Sequence, residues 1–140
     1  MNNLSIFFVL TQYEFITIEA YLYIRRIIQN QSKINMKSIT VKELKEMIDK
    51  GEDFQLIDVR EQSEYDAANL KGVFIPLATV PQNVEKISKD KKVVVHCRSG
   101  KRSANAISFL ENNYGYTNLY NLEGGIIAYK NEIDDSLDVV

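Results

Sequence analysis

The sequence holds one cysteine and one histidine, and they are neighbours, His96 and Cys97. A single sulfur of this kind excludes an intramolecular disulfide, a C-x-x-C redox motif and a thiolate-rich zinc site. A single histidine excludes multi-histidine metal centres and H-E-x-x-H protease chemistry. A free cysteine suits a reducing compartment, which predicts a cytoplasmic location. Excess charge is also lacking. The 140 residues carry a formal net charge of -2, whereas a nucleic-acid footprint needs a clear surplus of Lys and Arg. No internal repeat or low-complexity tract is present. With 45% hydrophobic and 26% charged residues, the composition predicts a soluble globular domain that buries a core without staples.

Turn signals are missing from the first 35 residues: all six glycines and both prolines lie beyond Met36. The apolar stretch from Leu4 to Ile28 is interrupted by Gln12, Glu14 and Glu19, so it lacks the run of about 18 apolar residues that a membrane-spanning helix needs. No Lys or Arg precedes it, as a signal peptide requires. Three readings stay open for residues 1–35: an extra helix packed on the domain, a weak membrane-surface anchor, or an upstream extension before a start at Met36. The last is preferred, because residues 36–140 read as a complete domain.

From Met36 onward, short apolar runs alternate with helical periodicity. Ser38 to Thr40 reads as a strand, and Thr40-Val41-Lys42-Glu43 has the S/T-x-x-E form of a capping box opening a helix to about Lys50. Gly51 stands where a helix should stop. Phe54 to Val59 reads as a buried strand, Glu61 to Leu70 as a short helix, Val73 to Ile75 as a strand ended by Pro76, and Pro81 to Ser88 as helical. Lys92 to His96, with three consecutive valines, is the strongest strand signal. A helix from Ser103 to Asn113, a strand from Asn118 to Leu122 and a helix from Ile126 to Ile133 complete the pattern. Strands separated by helices predict an α/β fold, a parallel sheet covered on both faces. Sites in such folds form beyond the carboxyl ends of strands, where Cys97 stands.

The stretch Cys97-Arg98-Ser99-Gly100-Lys101-Arg102-Ser103 delivers a thiol from a central strand into a loop with one glycine and three cations, directly before a helix. Inward-pointing amides, the helix dipole and the charges of Arg98, Lys101 and Arg102 are each expected to lower the thiol pKa. The resulting thiolate needs no general base, and the same donors suit an anionic substrate. Neighbours on a strand point to opposite faces, so His96 is predicted to be a packed residue facing away from the Cys97 pocket. Gly124-Gly125 carries no phosphate-loop companions and reads as the turn opening the last helix.

From about Ser38 to Ile133 the chain resembles the single-domain rhodaneses. Four elements carry the resemblance: Ile57-Asp58-Val59-Arg60-Glu61 with Glu64-Tyr65, Gly72 to Pro76, the Cys97–Ser103 loop, and Leu122-Glu123-Gly124-Gly125-Ile126. Two positions depart from the family pattern, Asn69 where His is common and Tyr129 where Trp is common. The resemblance implies a three-layer α/β/α fold around a mostly parallel five-stranded sheet. It also implies a sulfurtransferase in which Cys97 takes a sulfane sulfur from thiosulfate or a persulfide and passes it to a thiol or cyanide. Arg98, Ser99, Gly100, Lys101, Arg102 and Ser103 would then bind the substrate, with loop amides stabilising the persulfide anion. The expected partners are a small anionic sulfur donor and a thiol acceptor, with no nucleic acid and no membrane. No metal, nucleotide or flavin is implied.

Asp58 and Arg60 have two readings, a border of the pocket or a structural salt bridge, the second preferred. Arg102 either lines the pocket or pairs with a carboxylate. Two rival functions remain. His-Cys before a basic loop is similar to the H-C-x5-R-[ST] signature of tyrosine phosphatases, and cell-cycle phosphatases share the rhodanese fold. Here, however, four residues separate Cys97 from Arg102 instead of five, and no acid for the leaving group can be assigned. The second rival is a non-catalytic rhodanese-like binding module, against which the cysteine in its basic loop argues.

Overall fold

The computed structural model describes residues 17–28 and 36–140. The chain divides into two compact units, Met1–Asn35 and Met36–Val140. In the first, residues 17–28 form a helix, α1, on which Ile18, Tyr21, Leu22, Tyr23, Ile24, Ile27 and Ile28 are exposed. Of the apolar stretch read from the sequence, Leu4 to Ile16 lies outside the described residues. Among the described residues no helix is long and apolar enough to cross a membrane.

The second unit runs β1 (Ser38–Ile39), α2 (Val41–Asp49), β2 (Phe54–Asp58), α3 (Gln62–Ala67), β3 (Val73–Phe74), two 3-10 helices (Leu77–Gln82 and Val84–Lys86), β4 (Lys92–His96), α4 (Lys101–Tyr114), β5 (Leu119–Leu122) and α5 (Gly125–Glu132). The five strands form one sheet in the order β1-β5-β4-β2-β3, and every neighbouring pair is parallel. The predicted capping box forms: Thr40 Oγ1 accepts from the Glu43 amide at 3.2 Å while Glu43 Oε2 accepts from the Thr40 amide at 2.7 Å. The expected helix from Pro81 to Ser88 is instead the pair of 3-10 turns beginning at Leu77. Pro81 lies inside the first of them, and a short 3-10 turn accepts a residue without an amide proton where a long α-helix would lose a bond.

Alternation along β4 divides the core. Val93, Val95 and Cys97 join Ala106, Ile107 and Leu110 of α4 in one apolar cluster, whereas Val94 joins Leu44 and Met47 of α2 and Tyr129 of α5 in another. Side chains two apart share a face of a strand, so the clusters occupy opposite faces and the layers are helix, sheet, helix. β4 is central and buried on both sides, and it ends at the site.

Candidate active site at the end of β4

Cys97 is the first residue past β4 and is 1% exposed. The chain turns from it to Gly100, whose φ of 95° places it in the left-handed region as N-cap of α4, a conformation glycine adopts without a Cβ penalty. That turn aims the Gly100 amide at Sγ, 3.1 Å away, and the first helical turn brings Ser103 Oγ to 3.4 Å. Burial by itself would raise the thiol pKa. Hydrogen bonds from the Ser103 hydroxyl and from the amides of Ser103, Ser99 and Gly100 outweigh it, and the net shift is downward. The α-helix starts at Lys101 rather than the expected Ser103, so Lys101 and Arg102 belong to its first turn.

The loop is held from beneath by the end of the chain. The amides of Ile126 and Ile127, at the start of α5, donate to the carbonyls of Cys97 and Arg98 at 2.9 and 3.2 Å. This close approach needs Gly125, because a Cβ there would stand 2.5 Å from the carbonyl oxygens of both Cys97 and Arg98. Asn121 of β5 adds a lateral tie, with Nδ2 donating to the Gly100 carbonyl at 3.1 Å and Oδ1 accepting from Ser103 Oγ at 2.6 Å. Neither Gly125 nor Asn121 was singled out as a site residue from the sequence. The turn reading of Gly124-Gly125 and the family element from Leu122 to Ile126 were the available signals.

The three cations do less for the thiol than expected. The guanidinium of Arg102 makes two bonds to the Glu64 carboxylate, at 2.6 and 2.7 Å, which resolves its role as pairing with a carboxylate. That contact, with a further bond from the Glu61 amide, holds the Glu64 carboxyl down at about 2 against the opposition of its partial burial. Arg98 and Lys101 are exposed, and Arg98 Nε donates to the Val140 carbonyl at 3.0 Å. Ser99 is exposed too. Among the described residues the hydrogen-bond donors to the thiol are neutral, and Arg102 acts on it through its charge alone.

Asp58 and Arg60 form the salt bridge preferred from sequence rather than a border of the pocket. Both are fully buried, and Arg60 Nη2 is 2.7 Å from Asp58 Oδ2. The same guanidinium donates to the carbonyls of Glu64 and Ala68 at 3.2 and 2.7 Å, tying α3 to the end of β2. His96 pairs with Asp58 in the sheet register, so both side chains lie on the face away from Cys97. Its Nε2 is 3.6 Å from Asp58 Oδ2, and among the described residues neither ring nitrogen has a hydrogen-bond partner. Burial pushes the His96 pKa down, with Arg60 adding to the shift and Asp58 opposing it. Asn69 closes the turn after α3 through Tyr65 and Lys71, and Tyr129 packs in the core of the opposite face. Neither departure from the family pattern bonds the sulfur.

Comparison with known proteins follows the same lines. The family model described as Rhodanese-like domain matches residues 40–132. The chain is 37% identical over 100 residues to "Putative sulfurtransferase YtwF" of Bacillus subtilis, covering 71% of this chain and 95% of that one. It is 32% identical over 134 residues to "Uncharacterized protein YqhL" of the same organism, covering 95% and 97%, so that match extends into the first 35 residues. Among solved structures, a rhodanese-like domain protein from Staphylococcus aureus superposes with a TM-score of 0.64 at 32% identity, covering 75% of this chain and 99% of its own.

Proposed function

The chain belongs to the rhodanese-like domain family, and on that premise we propose that it is a sulfurtransferase that carries a sulfane sulfur on Cys97. The observation that carries the reading is the set of donors on Sγ, with the Gly100 amide at 3.1 Å and Ser103 Oγ at 3.4 Å. They lower the thiol pKa in spite of burial, and a thiolate is the attacking species in sulfur exchange. The name of the relative YtwF supports the same class.

In the proposed reaction the Cys97 thiolate attacks the outer sulfur of thiosulfate or of a persulfide. A bond forms from Sγ to that sulfur, the donor's S–S bond breaks, and its electron pair leaves on sulfite or a thiolate. Cys97 is left as a persulfide whose terminal sulfur bears the negative charge. An acceptor thiolate or cyanide then attacks the terminal sulfur, the bond to Sγ breaks, and the Cys97 thiolate is restored. The amides at the start of α4 stabilise the anion at each stage, as backbone donors do in an oxyanion hole. Exposed Arg98 and Lys101 attract an anionic donor to the rim. With one cysteine in the chain, the acceptor, a thiol or cyanide, is external, and a reducing cytoplasm is the setting that suits it.

Mass spectrometry after thiosulfate treatment tests the proposal. One added sulfur, about 32 Da, is expected on the native chain and none on Cys97→Ser. Absence of the adduct favours the binding module. Turnover of an aryl phosphate without sulfur transfer favours the phosphatase, against which the pairing of Arg102 with Glu64 argues.

A further inference from the structure

Asn121 lies outside the loop, on β5, yet its side-chain amide touches both groups that reach the sulfur. Nδ2 donates to the carbonyl of Gly100, whose own amide is on Sγ. The orientation of the amide follows, because Nδ2 has to face a carbonyl, and Oδ1 is thereby turned to Ser103 Oγ at 2.6 Å. A serine hydroxyl has one proton to give. The contact with Asn121 is at the short end of O–H···O distances, whereas Ser103 Oγ to Sγ is 3.4 Å. Asn121 Oδ1 and Cys97 Sγ therefore compete for one hydroxyl proton.

A neutral Cys97 fits this arrangement as a donor: S–H to Oγ, and O–H to Oδ1. An ionised Cys97 has no proton to give. Ser103 can then serve it only by turning its hydroxyl away from Asn121. We propose that Asn121 is a positioning residue that competes with the sulfur for the Ser103 hydroxyl and so weakens that donor to an anion on Sγ. The inference rests on the reading of Cys97 as the sulfur carrier, and it adds a preference to it. In the persulfide the charge is on the terminal sulfur, Sγ has neither proton nor charge, and Ser103 keeps its bond to Asn121. Asn121 thus disfavours the empty thiolate relative to the loaded persulfide.

Of the charged groups on the elements around Cys97, Arg102 of α4 interacts with its charge and is bonded to Glu64 of α3, while Arg98 and Lys101 are exposed, Arg98 being bonded to the Val140 carbonyl. β5 contributes Asn121, and α5 contributes the amides of its first turn. His96, Asp58 and Arg60 lie across the sheet.

The test is the pH dependence of Cys97 alkylation by iodoacetamide in the full chain. Asn121→Leu removes both amide contacts at similar volume and releases the hydroxyl, so the midpoint is expected to fall by about half a unit. The fall should vanish in Asn121→Leu combined with Ser103→Ala. Asn121→Asp keeps an acceptor and adds a negative charge, so its midpoint should rise. If the leucine variant does not fold, Asn121→Ala carries the same expectation. A midpoint that stays or rises on removal of the amide, or a fall that persists without Ser103, overturns the proposal. Alkylation reads the thiolate whether or not sulfur is transferred, so a missing persulfide adduct would count against the function and leave this measurement standing.

Discussion

At the end of β4, two consecutive buried side chains meet opposite surroundings. On one face Cys97 Sγ receives the Gly100 amide, the Ser103 hydroxyl lies 3.4 Å away, and among the described residues no side-chain cation bonds it. On the other face His96 lies beside the Asp58–Arg60 ion pair, its Nε2 3.6 Å from Asp58 Oδ2, and among the described residues neither ring nitrogen has a hydrogen-bond partner. Backbone dipoles stabilise an anion without binding it in one fixed partnership, which suits the sulfur carrier proposed for Cys97. The ion pair does the reverse. Arg60, held by Asp58, donates to the Glu64 and Ala68 carbonyls and so ties α3 to β2, and the charges are spent on architecture.

The largest effect is expected on the ionic face. Asp58→Ala strands a buried guanidinium, for which a loss of about 3–5 kcal/mol is expected in urea unfolding. The alkylation profile of Cys97 in the folded fraction should stay where it is, and a large shift would break the separation of the two faces. Gly125→Ala attacks the cradle instead. Its Cβ would meet the Cys97 and Arg98 carbonyls at 2.5 Å, at a φ of 60°. A loss of about 1–3 kcal/mol is expected, here with the alkylation midpoint moving up as the amides part from the sulfur.

Glu64→Gln sharpens the comparison at the rim. Arg102 lowers the Glu64 carboxyl from 4.5 to about 2, so the folded chain keeps it ionised where the unfolded chain protonates. That stability is complete above about pH 4.5 and is lost as pH falls through about 2. The glutamine variant should lose on the order of 1 kcal/mol at pH 7 and show a flatter acid limb in urea titrations. His96→Leu gives the smallest change at neutral pH, under about 1 kcal/mol, because it removes an imidazole whose hydrogen bonds are not made. Its mark is the slope. Burial lowers the His96 pKa, so below about 6.5 the unfolded chain takes up a proton that the fold refuses, and stability declines with pH. In the leucine variant the part of that decline due to His96 should be gone.

What could be read in advance divides by range. β4, the alternation that puts His96 and Cys97 on opposite faces, and the left-handed glycine stops all depend on residues near in sequence, and periodicity shows them. The start of α4 was placed two residues late because Lys101 and Arg102 add nothing to an apolar pattern and Gly100 caps through its backbone. Pairing with a carboxylate was one of two readings of Arg102, and the partner, Glu64, is 38 residues away. Gly125 and Asn121 matter because β5 runs beside β4, a tertiary fact that no local spacing encodes. The thiol's donors were correctly sought among the amides. The cations were overvalued because sequence shows that they are close but not what they are bonded to.

The support of the loop by α5 also has a meaning in time. Synthesis proceeds from the N-terminus, so Cys97 is made well before Asn121, Ile126 and Ile127 exist to hold its turn. A parallel sheet with β5 between β1 and β4 cannot close until that last stretch arrives. A chain ending before β5 lacks the Asn121, Ile126 and Ile127 contacts that hold the turn after Cys97.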